Sequence, residues 1–215
     1  MNASREIVLA TANPHKVEEM RAIFASAGVP VIGLADLPGG AAIPEPSETG
    51  RTFEANARLK ALVYARATGR VCLADDSGLE VDALGGAPGV DSAYFAHGFG
   101  NAAPRAERDG ANNAKLLAML DGVPPERRGA RFVCVMVAAA PDGTVLAESR
   151  GHFEGRIGEA PRGSNGFGYD PLLVLADGRT SAELPPDEKN ARSHRAAAAR
   201  VIAPTLAALL ARANR

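Results

Sequence analysis

The chain has 215 residues, of which 46% are hydrophobic and 23% charged, with a formal charge of −1. This is globular composition: it excludes a disordered chain and leaves no broad basic surface for a nucleic-acid polymer. "MNASREIVLAT" lacks the apolar core of a signal peptide and no apolar run approaches the ~20 residues of a membrane span, so a cytoplasmic enzyme or binding protein without a membrane partner is expected.

"EIVLAT" (6–11) reads as a buried strand, followed by a helix over "HKVEEMRAIFASAG". There Val17, Met20, Ile23, Phe24 and Ala27 recur at helical spacing, and Gly28 closes the pattern. "VPVIGLADL" is a second strand. Residues 38–51 carry Pro38, Pro44 and Pro46 among three glycines, which predicts a long irregular loop of the kind that often serves function. "TFEANARLKALVYARATG" predicts a helix with Phe53, Ala57, Ala61, Tyr64 and Ala65 on one face and Gly69 at its end. "RVCLADD" reads as a strand ending at Asp75 and Asp76, and "GLEVDAL" as a separate half-exposed strand. Residues 85–104 read as irregular, and "AERDGANNAKLLAML" turns helical. "ARFVCVMVAAA" and "TVLAESRGHFEG" around "PDG" form a hairpin. "GSNGFGYDP" is a loop, "LLVLA" a strand, and "SHRAAAARVIAPTLAALLARA" a closing helix with Ser193 as cap. Strands alternating with helices, plus one hairpin, predict an α/β fold with a mixed sheet in a single domain, 1–215. Cys72 and Cys134 lie in apolar runs and read as buried free thiols.

Four stretches carry candidate chemistry. "TANPHK" (11–16) sits at a strand–helix junction, where backbone N–H groups, Thr11, Asn13 and Lys16 suit an anion; taken alone, the stretch reads more readily as a capped helix with a surface lysine. Asp75 and Asp76 are costly to hold ionised side by side without a cation. Magnesium with one or two carboxylates meets that need, with Glu45 or Glu48 of the long loop as a further ligand; a solvated turn is the alternative. Phe167 and Tyr169 on a glycine loop suit stacking on a planar base, or anchoring in the core. Lys189, His194 and Arg195 suit phosphate and a base carbonyl, or form a solvated basic helix end. His97 and His152 have no ligand-like spacing and read as structural or surface.

"TANPHK", "SETGRTFEANARLKA", "ADDSGLEVDALGGAPGV", "GFGYDPL" and "EKNARSHR" occur in this order. Together they closely resemble the inosine/xanthosine triphosphate pyrophosphatase (Ham1-like) family, from about residue 6 to about residue 210. The resemblance implies an elongated mixed sheet flanked by helices in two lobes, with a nucleotide cleft between them, usually as a homodimer. It implies hydrolysis of dITP, ITP or XTP to the monophosphate and pyrophosphate with Mg²⁺. On this pattern Thr11, Ala12, Asn13, Pro14, His15 and Lys16 hold the triphosphate. Asp76 is general base and metal ligand, Asp75 supports the metal with Glu48, and Ser77 touches substrate. Phe167, Gly168, Tyr169 and Asp170 pack on base and sugar, Lys189 meets substrate, and His194 and Arg195 read the 6-keto edge. Two features depart from the pattern: Ala12 stands where glycine is expected, and "VDSAYFA" puts Asp91 and Tyr94 where tyrosine and arginine are usual. The rival readings are a pyrophosphatase for other modified nucleotides and a nucleotide sensor without turnover.

Overall fold

The structure, a computed structural model, describes residues 6–96 and 104–213. Six strands form one mixed sheet: β1 (Ile7–Leu9), β2 (Val31–Gly33), β3 (Cys72–Val81), β4 (Gly129–Ala139), β5 (Val145–Ile157) and β6 (Leu173–Val174), in the order β2-β1-β3-β4-β5-β6. β1 runs parallel to β2 and β3, while β6 is antiparallel to β5. Among the described residues the α-helices are α1 (Pro14–Ser26), α2 (Phe53–Thr68), α3 (Arg105–Met119), α4 (Pro186–Arg192) and α5 (His194–Ala213). No helix among the described residues is long and apolar enough to cross a membrane.

Local signals explain several boundaries. Asn13 Oδ1 accepts from the His15 N–H at 3.1 Å and Pro14 stands in the first turn of α1, where its missing N–H is not needed. Thr52 Oγ1 accepts from the Ala55 N–H at 3.2 Å, and Gly69 ends α2 in the left-handed region. β4 and β5 are joined through Ala140–Thr144, where the Ala140 N–H donates to the Thr144 carbonyl at 2.9 Å. α5 continues through Pro204, and α4 closes at Ser193, whose N–H donates to the Lys189 carbonyl at 2.8 Å.

Three strand assignments need correction. β2 stops at Gly33 and Leu34–Asp36 is a 3-10 turn; β6 keeps only two residues of "LLVLA". More consequentially, β3 runs without a break through "ADDSGLEV". Asp, Ser and Gly are turn formers, but β3 is an interior strand whose start pairs with β1 at Cys72 and Leu73 and which has β4 on its other side, and this tertiary pairing overrides local preference. The chain turns only after Val81, at Asp82–Leu84.

Contacts divide the chain into two compact units. The first comprises Met1–Asp76, Cys134–Gly151 and His194–Arg215, with a core that includes Leu9, Phe24, Leu73, Met136 and Ile202. The second comprises Ser77–Val133 and His152–Ser193, and its core includes Leu79, Leu116, Phe153, Tyr169 and Leu172. Both cysteines are free and buried. His152 is exposed, whereas His97 lies outside the described residues.

Candidate active site

Because Asp75 and Asp76 are neighbours within a strand, their side chains leave opposite faces of it. Each of these buried carboxylates has its own side-chain cation within reach. Asp75 Oδ2 lies 3.0 Å from Lys16 Nζ of α1 and 3.5 Å from Arg195 Nε of α5. Asp76 Oδ1 lies 2.8 Å from Lys60 Nζ of α2, and its Oδ2 accepts from Asn56 Nδ2 at 3.3 Å. The solvated turn is therefore excluded, since both carboxylates are buried and ion-paired.

Lys60 is the residue that the sequence reading passed over. Its ammonium also reaches Glu48 Oε1 at 2.6 Å, so Glu48 and Asp76 direct one oxygen each at the same positive charge. Glu45 is exposed. The long loop is tied down by Asn56, whose Oδ1 accepts from the Gly50 N–H at 2.8 Å while its amide holds Asp76. A Cβ on Gly50 would meet that Oδ1 at 2.5 Å, so the close approach requires glycine. Burial opposes the charge on Lys60, but Asp76, Asp75 and Glu48 together outweigh it and hold its pKa well above the ordinary value. Burial also pushes the Asp76 carboxyl above its ordinary 3.8, against the pull of Lys60.

At the first junction, the helix cap and the charged lysine are both present. Thr11 Oγ1 accepts from the Asn13 N–H at 3.2 Å, Asn13 caps α1, and Ala12, Pro14 and His15 are exposed around the helix start. Lys16 is not a surface lysine, because it is mostly buried on Asp75. His194 and Arg195 are both buried at the start of α5. Arg195 Nη1 donates to Glu19 Oε2 at 2.9 Å, completing a chain of alternating charge from Glu19 through Arg195 and Asp75 to Lys16.

The second unit carries the aromatic loop. Asp170 is its hub: Oδ2 accepts from Lys189 Nζ at 2.6 Å and from the Phe167 N–H at 2.9 Å, and Oδ1 accepts from Ser181 Oγ at 2.7 Å. The backbone at Gly166, at φ +77°, passes so close that a Cβ there would collide with Asp170 and approach Lys189 Nζ to 2.7 Å. Tyr169 is a core anchor rather than an exposed ring; it is buried and its hydroxyl donates to the Ser92 carbonyl at 2.9 Å. Phe167 is the half-buried aromatic, with Gly168 beside it. Ser77 is half-buried on β3, and Tyr94 is exposed.

Among the described residues, no group of three or more His, Cys, Asp or Glu side chains is arranged to hold a metal ion. The cation-directed donors are the two carboxylate oxygens converging on Lys60. That donor set of hard oxygens suits magnesium, which keeps several waters and takes few protein ligands.

A sequence model of the Ham1 family matches residues 7–205. The chain belongs to the Ham1 family. Among relatives, it is 55% identical over 196 residues to the dITP/XTP pyrophosphatase of Nitratidesulfovibrio vulgaris, covering 90% of this chain and 92% of that one. Among solved structures, the HAM1 protein from Coxiella burnetii matches with a TM-score of 0.80 at 38% identity, covering 94% of this chain and 98% of that chain. The Staphylococcus aureus Ham1 protein matches at 0.78 and 37%, over 95% and 99%. The mixed α/β architecture is thus that of the Ham1 structures.

Proposed function

We propose that this Ham1-family chain hydrolyses deaminated purine nucleoside triphosphates, dITP, ITP and XTP, to the monophosphate and pyrophosphate. It would do so with magnesium, in the cytoplasm and as a homodimer, with neither membrane nor nucleic-acid polymer as partner. The observation that carries this reading is Asp76: a buried carboxylate with a raised pKa that shares a cation with a second carboxylate. The name of the Nitratidesulfovibrio relative, dITP/XTP pyrophosphatase, supports the substrate class.

In this mechanism the start of α1 and Lys16 bind the triphosphate through N–H groups and charge. Asp76 takes the proton of the attacking water, and its raised pKa strengthens it as a base. Lys60 holds Asp76 and Glu48 in place before substrate arrives. Glu48 and Asp76 are the residues that would hold magnesium, which when bound neutralises charge on the phosphate oxygens. Asp75 supports the site from the opposite face of β3 by fixing Lys16. Phe167 contacts the base, with Gly168, Asp170 and Lys189 on the sugar side; Tyr169 anchors the loop, and Ser77 touches substrate. His194 and Arg195 are donors for a 6-keto oxygen, which adenine replaces with an amino group. A donor left facing a donor is an unpaired group, and such mismatches discriminate strongly.

Pyrophosphate release across ITP, XTP, dITP, ATP and dUTP, with and without Mg²⁺, tests the proposal. Release confined to the 6-keto purines and dependent on the metal is expected. Equal release from dUTP, or none from ITP, would contradict it.

A further inference from the structure

Helix α3 places Arg105, Asp109 and Asn113 one turn apart, and all three address the same two residues of the aromatic loop. Asp109 Oδ2 accepts from the Gly168 N–H at 2.9 Å, and Asn113 Nδ2 donates to the Gly168 carbonyl at 3.0 Å. The Arg105 guanidinium lies 4.4 Å from the centroid of the Phe167 ring and 3.7 Å from Asp109. Both hydrogen-bonding groups of one loop residue and a ring face of its neighbour are therefore held by a single stripe of one helix.

This stripe is separate from the residues that dock α3 on the core. The buried positions of α3 are Asn112 and Leu116, and Asn112 grips the carbonyls of Ser92 and Ala93 at 3.2 Å each. Packing of the helix does not call for Asp109 or Asn113 at their positions. Phe167, for its part, is only half-buried, and its ring is also met by Lys189 Nζ at 5.4 Å from the centroid. Ordering a flexible aromatic at the moment of binding costs affinity, and prior ordering removes that cost.

We propose that Arg105, Asp109 and Asn113 are positioning residues that fix Phe167 as a platform for the nucleobase. This rests on the reading of Phe167 as a base contact, and it extends that contact to a helix outside all five sequence motifs.

The test compares ITP with inorganic tripolyphosphate, a ligand with phosphates and no base. Asp109→Ala and Asn113→Ala should each raise the KM for ITP about tenfold, with kcat within about twofold, as expected when the loop hydrogen bond that orders the base contact is lost. Their inhibition by tripolyphosphate should stay at the wild-type level. Asp109→Asn keeps an accepting oxygen and should restore most of the KM. Arg105→Ala, at a partly exposed position, gives a variant that does not depend on the fold tolerating the other two. Phe167→Ala is measured alongside. If it raises KM while the three α3 variants do not, the stripe has no positioning role and the proposed function stands. If Phe167→Ala leaves KM unchanged, the base contact and this inference fail together. Equal weakening of ITP and tripolyphosphate in the α3 variants would show general damage and overturn the inference.

Discussion

Lys60 and Asp76 form a buried ion pair at 2.8 Å, with the same ammonium 2.6 Å from Glu48. A strand carboxylate, a loop carboxylate and a helix lysine thus converge, the carboxylates standing 16 and 12 residues from Lys60 in the chain. Asp76 is available as a base only while this arrangement keeps its charge tolerable in a buried setting.

Replacing Lys60 with Met should leave Asp76 buried and uncompensated. Breaking a buried pair by removing one partner costs about 3–5 kcal/mol, so urea denaturation should show a loss of that order. Adding Asp76→Asn should recover much of it, because the stranded charge is then gone. A loss below about 1 kcal/mol in Lys60→Met would show that the pair is effectively solvated.

The pH profile follows from the direction of the Asp76 shift. Burial raises the Asp76 pKa above 3.8 in the metal-free protein and a bound cation favours its ionised form, so the limb over which kcat/KM climbs with pH should move to lower pH as Mg²⁺ is raised. Stability has the opposite sign. The folded state binds this proton more tightly than the unfolded chain, so this group's contribution falls as pH rises from 3.8 towards the folded value. Asp76→Asn should remove that slope from the urea-derived stability. An unchanged slope would assign the titration to another group.

Gly50 and Gly166 test the two loop anchors. A methyl at Gly50 collides with Asn56, which ties the loop to Asp76, and a methyl at Gly166 collides with Asp170. Misplacement of a site by about 1 Å can cost on the order of 10²-fold in rate, so each Ala variant should lose kcat/KM on that scale. Near-normal values would show that the loops reorganise freely.

His194→Ala and Arg195→Ala should narrow the preference for ITP over ATP. Arg195 also bridges Glu19 and Asp75, so Arg195→Lys, which lacks the planar fork, should not restore selectivity. Unchanged ITP/ATP ratios in both Ala variants would place base reading elsewhere.

Much of this molecule is legible in its sequence because its signals are local. Asn13, Thr52 and Gly69 mark helix ends through their own side chains or backbone freedom, and the hairpin follows from "PDG" between two apolar runs. β3 is not legible as one strand because "DDSG" is turn chemistry held extended within an interior strand, whose neighbour β4 is more than 50 residues away in the chain. Tyr169 was open between stacking and anchoring; only the distant Ser92 carbonyl decides it. Lys60 had a usable signal. It shares the apolar face of α2 with Phe53, Ala57 and Tyr64, and a lysine on a buried face needs a partner. The α3 stripe had none, since Arg105, Asp109 and Asn113 look like any solvated helix face until the aromatic loop folds onto them.

The site of water attack tests the account most directly. Hydrolysis of ITP in water labelled with heavy oxygen, followed by mass spectrometry of both products, shows which phosphorus the activated water reaches. Attack at the α-phosphorus puts the label in the monophosphate and leaves pyrophosphate unlabelled, and Asp76→Asn should slow this by ~10²–10⁴ while retaining nucleotide binding. Label in the pyrophosphate, release of free phosphate in its place, or near-normal turnover in Asp76→Asn would contradict the role assigned to Asp76.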